Sequence, residues 1–164
     1  MAGRRTRSPH SRTWPRRITF VWDDVNELLL REVRPGLFVG GEHTRSVRKW
    51  RGLVDLYGSK LEHTAKVTLD KPFIDDLPIP RGVLDDVWEF VVPELKKGKV
   101  LLHCQAGLSR SASAAYAVLR RLDGLDHAEA LRRVEVPEDT WDYYPCKPTL
   151  HSAKLWVRRH KKRR

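Results

Sequence analysis

The sequence contains little cysteine and no long hydrophobic run. Only Cys104 and Cys146 occur in 164 residues, which argues against a disulfide scaffold and for a reducing compartment, so we expect a cytoplasmic protein. No apolar stretch approaches the roughly 20 residues that a membrane-spanning helix needs, and the N-terminus lacks the apolar core of a signal peptide. We also find no internal repeat. These absences leave a globular chain that is long enough for one domain with a sizeable core.

Acidic residues are missing from both ends of the chain. Residues 1–17 carry six Arg and residues 143–164 carry eight Lys or Arg, with no acid in either segment, so the net charge of +11 arises there. Residues 18–142 carry 18 basic and 21 acidic side chains. We predict a disordered tail over residues 1–17, a folded domain over 18–157 and a basic tail over 158–164. Such ends either contact nucleic acid or an anionic membrane weakly, or serve as solvated tails.

One stretch near residue 104 combines a strand, a tight loop and a helix. Val100–Leu102 is a short apolar run typical of a buried strand, and the Ala-rich spacing after Ser109 predicts a helix. The loop between them aims backbone N–H groups and the positive end of the helix dipole at one point, which makes an oxyanion site. Cys104 opens this loop and Arg110 closes it. The N–H groups, the dipole and the guanidinium favour a thiolate, and the guanidinium can bind two phosphate oxygens.

The chain resembles the protein tyrosine phosphatase superfamily over the segment His103-Cys104-Gln105-Ala106-Gly107-Leu108-Ser109-Arg110-Ser111. In that superfamily the active-site loop has a Cys, five residues, an Arg and then a Ser or Thr. The residues after the Cys are most similar to those of the dual-specificity phosphatases. The resemblance extends over roughly residues 35–135. It implies that Cys104 is the nucleophile and that phosphate is bound by Arg110 and by the loop residues Gln105, Ala106, Gly107, Leu108 and Ser109.

A general acid is the second group that this chemistry needs. A thiolate that attacks a phosphate ester expels an alkoxide or phenoxide, which is best protonated by a carboxylic acid. In the resembled family an Asp on a loop upstream of the Cys supplies the proton. Asp75 directly follows the apolar pair Phe73-Ile74 and lies 29 residues before Cys104, so the resemblance implies that Asp75 is the acid. Asp76 and, more distantly, Asp70 stay alternatives, as does a plain turn role.

The polar groups beside the Cys have both chemical and structural interpretations. Ser111 can donate a hydrogen bond to the Cys104 sulfur and stabilise it as a leaving group, or it is only a helix N-terminal serine. Ser109 is expected to be a loop or capping residue. His103 is expected to bond the backbone and brace the loop, because neighbours along a strand point to opposite faces. The other His residues show no ligand spacing, so we expect no metal and no cofactor.

The remaining pattern predicts an α/β fold in a single domain. Strands separated by helical segments imply a mostly parallel central sheet flanked by helices, similar to that of the cysteine phosphatases, with the site at the carboxyl end of a strand. The predicted strands are residues 18–22, 37–39, 52–56, 65–68 and 100–102. The predicted helices are residues 23–33, 44–51, 82–95, from 109 onward, 125–134 and 149–159, the last with Leu150, Ala153, Leu155 and Trp156 or Val157 turned inward.

The resemblance implies a metal-free, two-step phosphatase that acts on phosphomonoesters. The loop has no Lys between Cys104 and Arg110, unlike the lipid phosphatases that act on inositol phosphates, and it lacks the pattern of RNA 5′-triphosphatases. Phosphotyrosine and phosphoserine/threonine of proteins are therefore the expected substrates. A phosphatase of lipid or RNA 5′-phosphate substrates and a non-catalytic phosphate-binding module stay alternatives.

Overall fold

A computed structural model describes residues 30–135 and 145–161 of the chain. Its strands are β1 (Arg31–Arg34), β2 (Leu37–Gly40), β3 (Gly52–Asp55), β4 (Val67–Asp70) and β5 (Val100–His103). Its α-helices are α1 (Val83–Leu95), α2 (Arg110–Leu122), α3 (His127–Val134) and α4 (Lys147–Arg159), and a 3₁₀ helix spans Glu42–Ser46. None of the helices in these two ranges is both long and apolar enough to cross a membrane.

The sheet has the order β1-β2-β5-β3-β4, and every pair is parallel except β1 with β2. β5 lies at the centre, with β2 on one side and β3 on the other. In this register Gly40 of β2 and Asp55 of β3 both lie beside His103 of β5. Three parallel strands therefore end together just before Cys104, at the edge where open α/β sheets bind ligands. The predicted mostly parallel α/β sheet is confirmed.

The apolar side chains of the central strands alternate between two hydrophobic clusters, because successive residues of a strand point to opposite faces. The larger cluster joins one face of the sheet to all four α-helices of the described residues and includes Val39, Val54 and Leu102. The smaller cluster covers the other face and consists of Leu30, Phe38, Trp50, Leu53 and Leu101. β5 is buried along its whole length, so the segment that leads into the Cys loop is held from both sides.

Residues 31–34 form a strand and not the helix predicted over residues 23–33. The strand pairs antiparallel with β2, and Arg31 ties it to the end of α3. The Nε and Nη2 of Arg31 donate to the Val134 carbonyl at 3.1 and 2.5 Å, and burial lowers the pKa of Arg31 to about 10. These tertiary contacts outweigh the local helical pattern. The strand predicted over residues 18–22 lies outside the described residues, as does most of that helix.

The helix predicted over residues 44–51 is also wrong, because only the 3₁₀ helix Glu42–Ser46 forms there. Trp50 accounts for the difference. Its side chain is 1% exposed, its indole N–H donates to the Thr44 carbonyl at 3.1 Å, and its ring meets the Phe38 ring edge-on at 5.2 Å. Burial of this large side chain against β2 takes the chain out of a helical path before residue 50.

Helix α4 begins at Lys147, and one of the side chains predicted to face the core does not. Trp156 and Val157 are buried, whereas Leu155 is 38% exposed. The Trp156 indole N–H donates to Asp85 of α1 at 2.8 Å, so the Trp rather than the neighbouring Leu joins α4 to α1. A helix turns about 100° per residue, so with Trp156 and Val157 on the buried face the preceding Leu155 is rotated toward solvent.

Of the two predicted tails, the structure describes only part of the C-terminal one. Residues 1–17 lie outside the described residues. Of the tail predicted over residues 158–164, Arg158 and Arg159 belong to α4, which ends at the same residue as the helix predicted over residues 149–159.

The contrast between Trp156 and Leu155 gives a test of the packing of α4. Trp156→Ala should lower the free energy of unfolding by about 3–5 kcal/mol, because a buried aromatic side chain and its hydrogen bond are lost. Leu155→Ala, its matched control, should cost less than about 1 kcal/mol, since its side chain is already partly in water. Urea unfolding followed by circular dichroism measures both, and equal losses would contradict the observed orientation of α4.

Candidate active site

The loop of residues 104–109 connects β5 to α2 and packs against the end of β2. Gly107 has a φ of +78°, and a Cβ added there would lie 2.5 Å from the carbonyl carbon of Gly40. Only glycine satisfies both the left-handed backbone and this close approach. The Glu42 N–H donates to the Gln105 carbonyl at 2.9 Å and holds the loop at a second point. The end of β2 thus fixes the shape of the loop.

The Cys104 sulfur lies at the floor of the loop, and the residue is 2% exposed. The Gly107 N–H donates to Sγ at 3.3 Å, and the Oγ of Ser111 lies 3.2 Å from Sγ. Ser111 is buried in the first turn of α2. Two polar hydrogens, one from the backbone of the loop and one from the side chain of Ser111, can therefore point at the sulfur. The structure thus places Ser111 within hydrogen-bonding distance of the Cys104 sulfur.

Arg110 is buried beside the loop, and one of its N–H groups has no hydrogen-bond partner among the residues that the structure describes. Its Nη1 donates to the Phe73 carbonyl at 2.8 Å and more weakly to the Leu56 carbonyl at 3.4 Å, and its guanidinium lies 5.3 Å from the centre of the Tyr57 ring. The residue is 7% exposed, yet its Nε makes no hydrogen bond to any described residue. A buried N–H without a partner is costly. An anion held in the loop would supply an acceptor for it.

Asp75 contacts the Cys loop through Ser109. The Ser109 hydroxyl donates to Asp75 Oδ1 at 2.8 Å, and the Asp76 N–H donates to the same oxygen at 2.9 Å. Asp76, the alternative acid, is exposed and has a φ of +59°. Asp70, the more distant alternative, ends β4. Of the three carboxylates, Asp75 is therefore the one that the described contacts join to the loop.

The other predicted phosphate-binding residues become more buried along the loop, from Gln105 to Ser109. Gln105 is exposed and Ala106 is half-buried, whereas Gly107, Leu108 and Ser109 are buried. Ser109 precedes α2 without capping it through its side chain. The Ser109 hydroxyl donates to Asp75 instead, a contact that a capping role does not predict.

Cys146 lies close to the same loop at the start of α4. Its N–H donates to the Ser109 Oγ at 3.1 Å. Burial and the neighbouring Asp75 and Asp76 raise the pKa of the Cys146 thiol, although a hydrogen bond with Ser109 acts in the opposite direction. Both cysteines are free thiols. Residues 136–144, which precede Cys146 in the chain, lie outside the described residues.

His103 braces the backbone and does not bond the sulfur. Its Nδ1 lies 3.2 Å from the Cys104 carbonyl oxygen, and its Nε2 lies 3.5 Å from Asp55 Oδ1 without the geometry of a hydrogen bond. The residue is fully buried. Removal from water lowers the pKa of His103, although the charge of Asp55 acts in the opposite direction. The imidazole is therefore neutral near pH 7.

Several residues that shape the site carry no clear signal in the sequence. Leu56 and Phe73 hold Arg110 through backbone carbonyls, which every residue type has. Thr149 reaches Ser109 from a helix 40 residues away. Gly40 is the exception, because a glycine pair that ends a strand indicates a turn or a close approach of backbones.

Comparison with known proteins supports the fold but gives no family assignment by sequence. No protein-family model and no curated protein matches the chain. Its structure is similar to that of human DUSP28, with 22% identity, a TM-score of 0.62, and coverage of 78% of this chain and 91% of that one. It is also similar to DUSP15, with 19% identity, a TM-score of 0.66 and coverage of 78% and 86%.

A third similar structure bears a different kind of name. It is human tyrosine phosphatase-like serine/threonine/tyrosine-interacting protein, with 20% identity, a TM-score of 0.60, and coverage of 80% of this chain and 97% of that one. At these identities the likeness shows the fold. The chain therefore has the fold of the cysteine-based dual-specificity phosphatases, and the resemblance drawn from the sequence is confirmed at that level.

The neutral, buried His103 predicts how stability responds to acid. Its pKa is lowered in the folded chain, so the unfolded chain binds a proton first as the pH falls through about 6.5. Stability that is present above that pH is therefore lost below it. His103→Gln should reduce the difference in unfolding free energy between pH 7.5 and pH 5. Exposed His151 provides the control, and His151→Gln should change this difference less. A difference unchanged by His103→Gln would contradict the prediction.

Proposed function

We propose that this chain is a cysteine-dependent phosphatase that hydrolyses phosphomonoesters through a Cys104 thiophosphate intermediate. The observation that carries the proposal is the convergence of three groups at one loop. They are a thiol within hydrogen-bond distance of the Gly107 N–H and the Ser111 hydroxyl, a buried Arg110 whose Nε has no partner among the described residues, and the Asp75 carboxylate that accepts from Ser109. The likeness of the fold to DUSP28 and DUSP15 supports the same proposal.

The first step transfers the phosphoryl group to sulfur. The Cys104 thiolate attacks phosphorus while Arg110 and the N–H groups of the loop hold the non-bridging oxygens and stabilise their charge. An S–P bond forms and the bond from phosphorus to the leaving oxygen breaks. The carboxylic acid of Asp75 gives its proton to that oxygen, which leaves as an alcohol or phenol.

The second step returns the enzyme to its starting state. The Asp75 carboxylate accepts a proton from water as the water oxygen attacks phosphorus. The S–P bond breaks, inorganic phosphate leaves and the sulfur departs as a thiolate. The Ser111 hydroxyl, 3.2 Å from Sγ, can donate to the departing sulfur and stabilise its charge. No metal is needed for either step in this proposal.

We propose phosphorylated proteins or peptides as substrates, with phosphotyrosine and phosphoserine/threonine both accepted. The sequence supports this choice through what the loop lacks, namely the Lys typical of inositol-phosphate phosphatases. Contact of the basic ends with nucleic acid or an anionic membrane and a cytoplasmic location stay predictions. Residues 1–29 and 162–164 lie outside the described residues.

A non-catalytic phosphate-binding module is the second candidate. It is favoured by the likeness to a protein named as phosphatase-like and as an interacting protein. The presence of a thiol, an Arg and an Asp in contact with one loop supports the enzyme instead, because simple binding of phosphate needs neither the thiol nor the acid. Turnover distinguishes the two candidates.

The first test is hydrolysis of p-nitrophenyl phosphate with and without a chelator. Activity should be unaffected by the chelator, and Cys104→Ser should lower kcat to below about 1%, because a hydroxyl is a far poorer nucleophile at neutral pH. Arg110→Lys should lower kcat/KM by about a hundredfold or more, since Lys lacks the planar fork. Cys146→Ser is the matched thiol control and should keep most of the rate. A Cys104→Ser variant with several per cent activity would exclude the covalent mechanism.

The second test asks which carboxylate is the acid. Asp75→Asn should lower the rate about tenfold for an aryl phosphate and about a hundredfold for an alkyl phosphate, because an alkoxide leaves poorly without a proton. The basic limb of its pH–rate profile should flatten. Asp76→Asn is the matched control at the adjacent position. If Asp76→Asn shows this signature and Asp75→Asn does not, the acid is Asp76.

A further inference from the structure

We propose that Ser109 is a positioning residue that determines which carboxyl oxygen of Asp75 carries the catalytic proton. The inference rests on the proposed function, in which Asp75 is the acid of the first step and the base of the second. It goes further by assigning a separate role to each oxygen of that carboxyl group.

Both hydrogen bonds to the Asp75 carboxyl end on the same oxygen. The Ser109 hydroxyl approaches Oδ1 at 2.8 Å and the Asp76 N–H approaches it at 2.9 Å. No described residue donates to Oδ2. A protonated carboxyl group has one O–H oxygen and one acceptor oxygen. Two donors at Oδ1 make Oδ1 the acceptor, so the proton resides on Oδ2.

This arrangement serves both chemical steps. In the first step the proton on Oδ2 passes to the leaving oxygen while Oδ1 keeps its two donors. In the second step Oδ2 accepts the proton of the attacking water, and the same two donors stabilise the remaining charge on Oδ1. Neither step needs the carboxyl group to rotate between its two roles.

A buried group of polar atoms holds the Ser109 hydroxyl in this orientation. The Cys146 N–H, which can only donate, approaches Ser109 Oγ at 3.1 Å, and the Oγ1 of Thr149 lies 3.2 Å away. The Thr149 hydroxyl has its own acceptor in the Cys146 carbonyl at 2.9 Å, and Ser113 donates to Thr149 Oγ1 at 3.1 Å. The carboxylate is the nearer and stronger acceptor for Ser109, so the Ser109 proton points to Asp75.

The burial of these groups makes the arrangement specific. Ser109 is 1% exposed, and Thr149 and Ser113 are fully buried. Water therefore cannot easily replace a missing hydroxyl, and loss of the Ser109 donor leaves Asp75 Oδ1 with the Asp76 N–H alone. The proton can then occupy either oxygen, and the carboxyl group, without its bond to Ser109, can also turn about its side-chain torsions, so only a small fraction of the enzyme presents the protonated oxygen to the leaving group.

The experiment compares two aryl phosphates whose leaving groups differ in their need for a proton. With Ser109→Ala, kcat/KM for phenyl phosphate should fall about tenfold more than kcat/KM for p-nitrophenyl phosphate. Ser109→Thr keeps the hydroxyl and should restore the wild-type ratio of the two rates. Ser152→Ala is the control, because it removes a half-buried hydroxyl of α4 whose hydrogen-bond partners are the Ile79 N–H and the Pro148 carbonyl rather than Ser109 or Asp75, and it should leave the ratio unchanged.

A double-variant comparison separates positioning of the acid from a general effect on the loop. In the Asp75→Asn background, Ser109→Ala should change the phenyl phosphate rate less than about threefold, since no proton is left to position. Ser109→Gly also removes the hydroxyl and replaces Ser109→Ala if that variant does not fold. Equal losses of kcat/KM for both substrates would overturn the role proposed for Ser109, and so would losses from Ser109→Ala and Asp75→Asn that are fully additive. Either result would leave the proposed phosphatase function standing. A wild-type protein that hydrolyses neither substrate would overturn the proposed function and this inference with it.

Discussion

The contact between the backbones of Gly107 and Gly40 is the constraint on which the rest of the site depends. Adjacent parallel strands lie only about 4.8 Å apart, so a loop that leaves β5 meets the end of β2 at once. With no side chain at residue 107, the loop can fold down onto Gly40. This brings the Gly107 N–H to within 3.3 Å of the Cys104 sulfur. A Cβ at this position would push the donor away from the nucleophile and move the start of α2.

Beneath the loop, the Asp55 carboxylate is surrounded by hydrogen-bond donors and the neighbouring imidazole of His103 is neutral. Asp55 accepts hydrogen bonds from the N–H groups of Tyr57, Gly58 and Ser59 and from the Arg45 guanidinium, at 2.7–3.4 Å. With this many donors the carboxylate does not require a proton from His103. The cost of burying an imidazolium therefore outweighs its attraction to Asp55, and the pKa of His103 falls. The floor of the site is thus polar and rigid but carries no added positive charge from the His.

The sequence predicts the parts of this molecule whose physics is local. The strand before Cys104, the helix after it and the amphipathic α1 follow from periodicity, and a loop with this pattern of Cys and Arg indicates an oxyanion site. The failures occur where distant contacts decide. Arg31 enters a strand because it pairs with β2 and donates to α3, and Trp50 ends a helical path because its ring is buried against Phe38. The partners of Ser109 likewise come from chain segments 34 to 40 residues away.

The start of α2 distributes three functional groups by geometry alone. Arg110 and Ser111 open α2, where consecutive residues are turned by about 100°, and Ser109 precedes the helix with a non-helical backbone, so the three neighbours point in three directions. Ser109 contacts Asp75, Arg110 reaches the carbonyls of Phe73 and Leu56, and Ser111 contacts the Cys104 sulfur. Three consecutive residues thereby contact the proposed acid, line the proposed anion site and contact the proposed nucleophile. Because all three residues are buried and share one backbone, a shift of the helix start would misalign them together, and the fixed contact between Gly107 and Gly40 opposes such a shift.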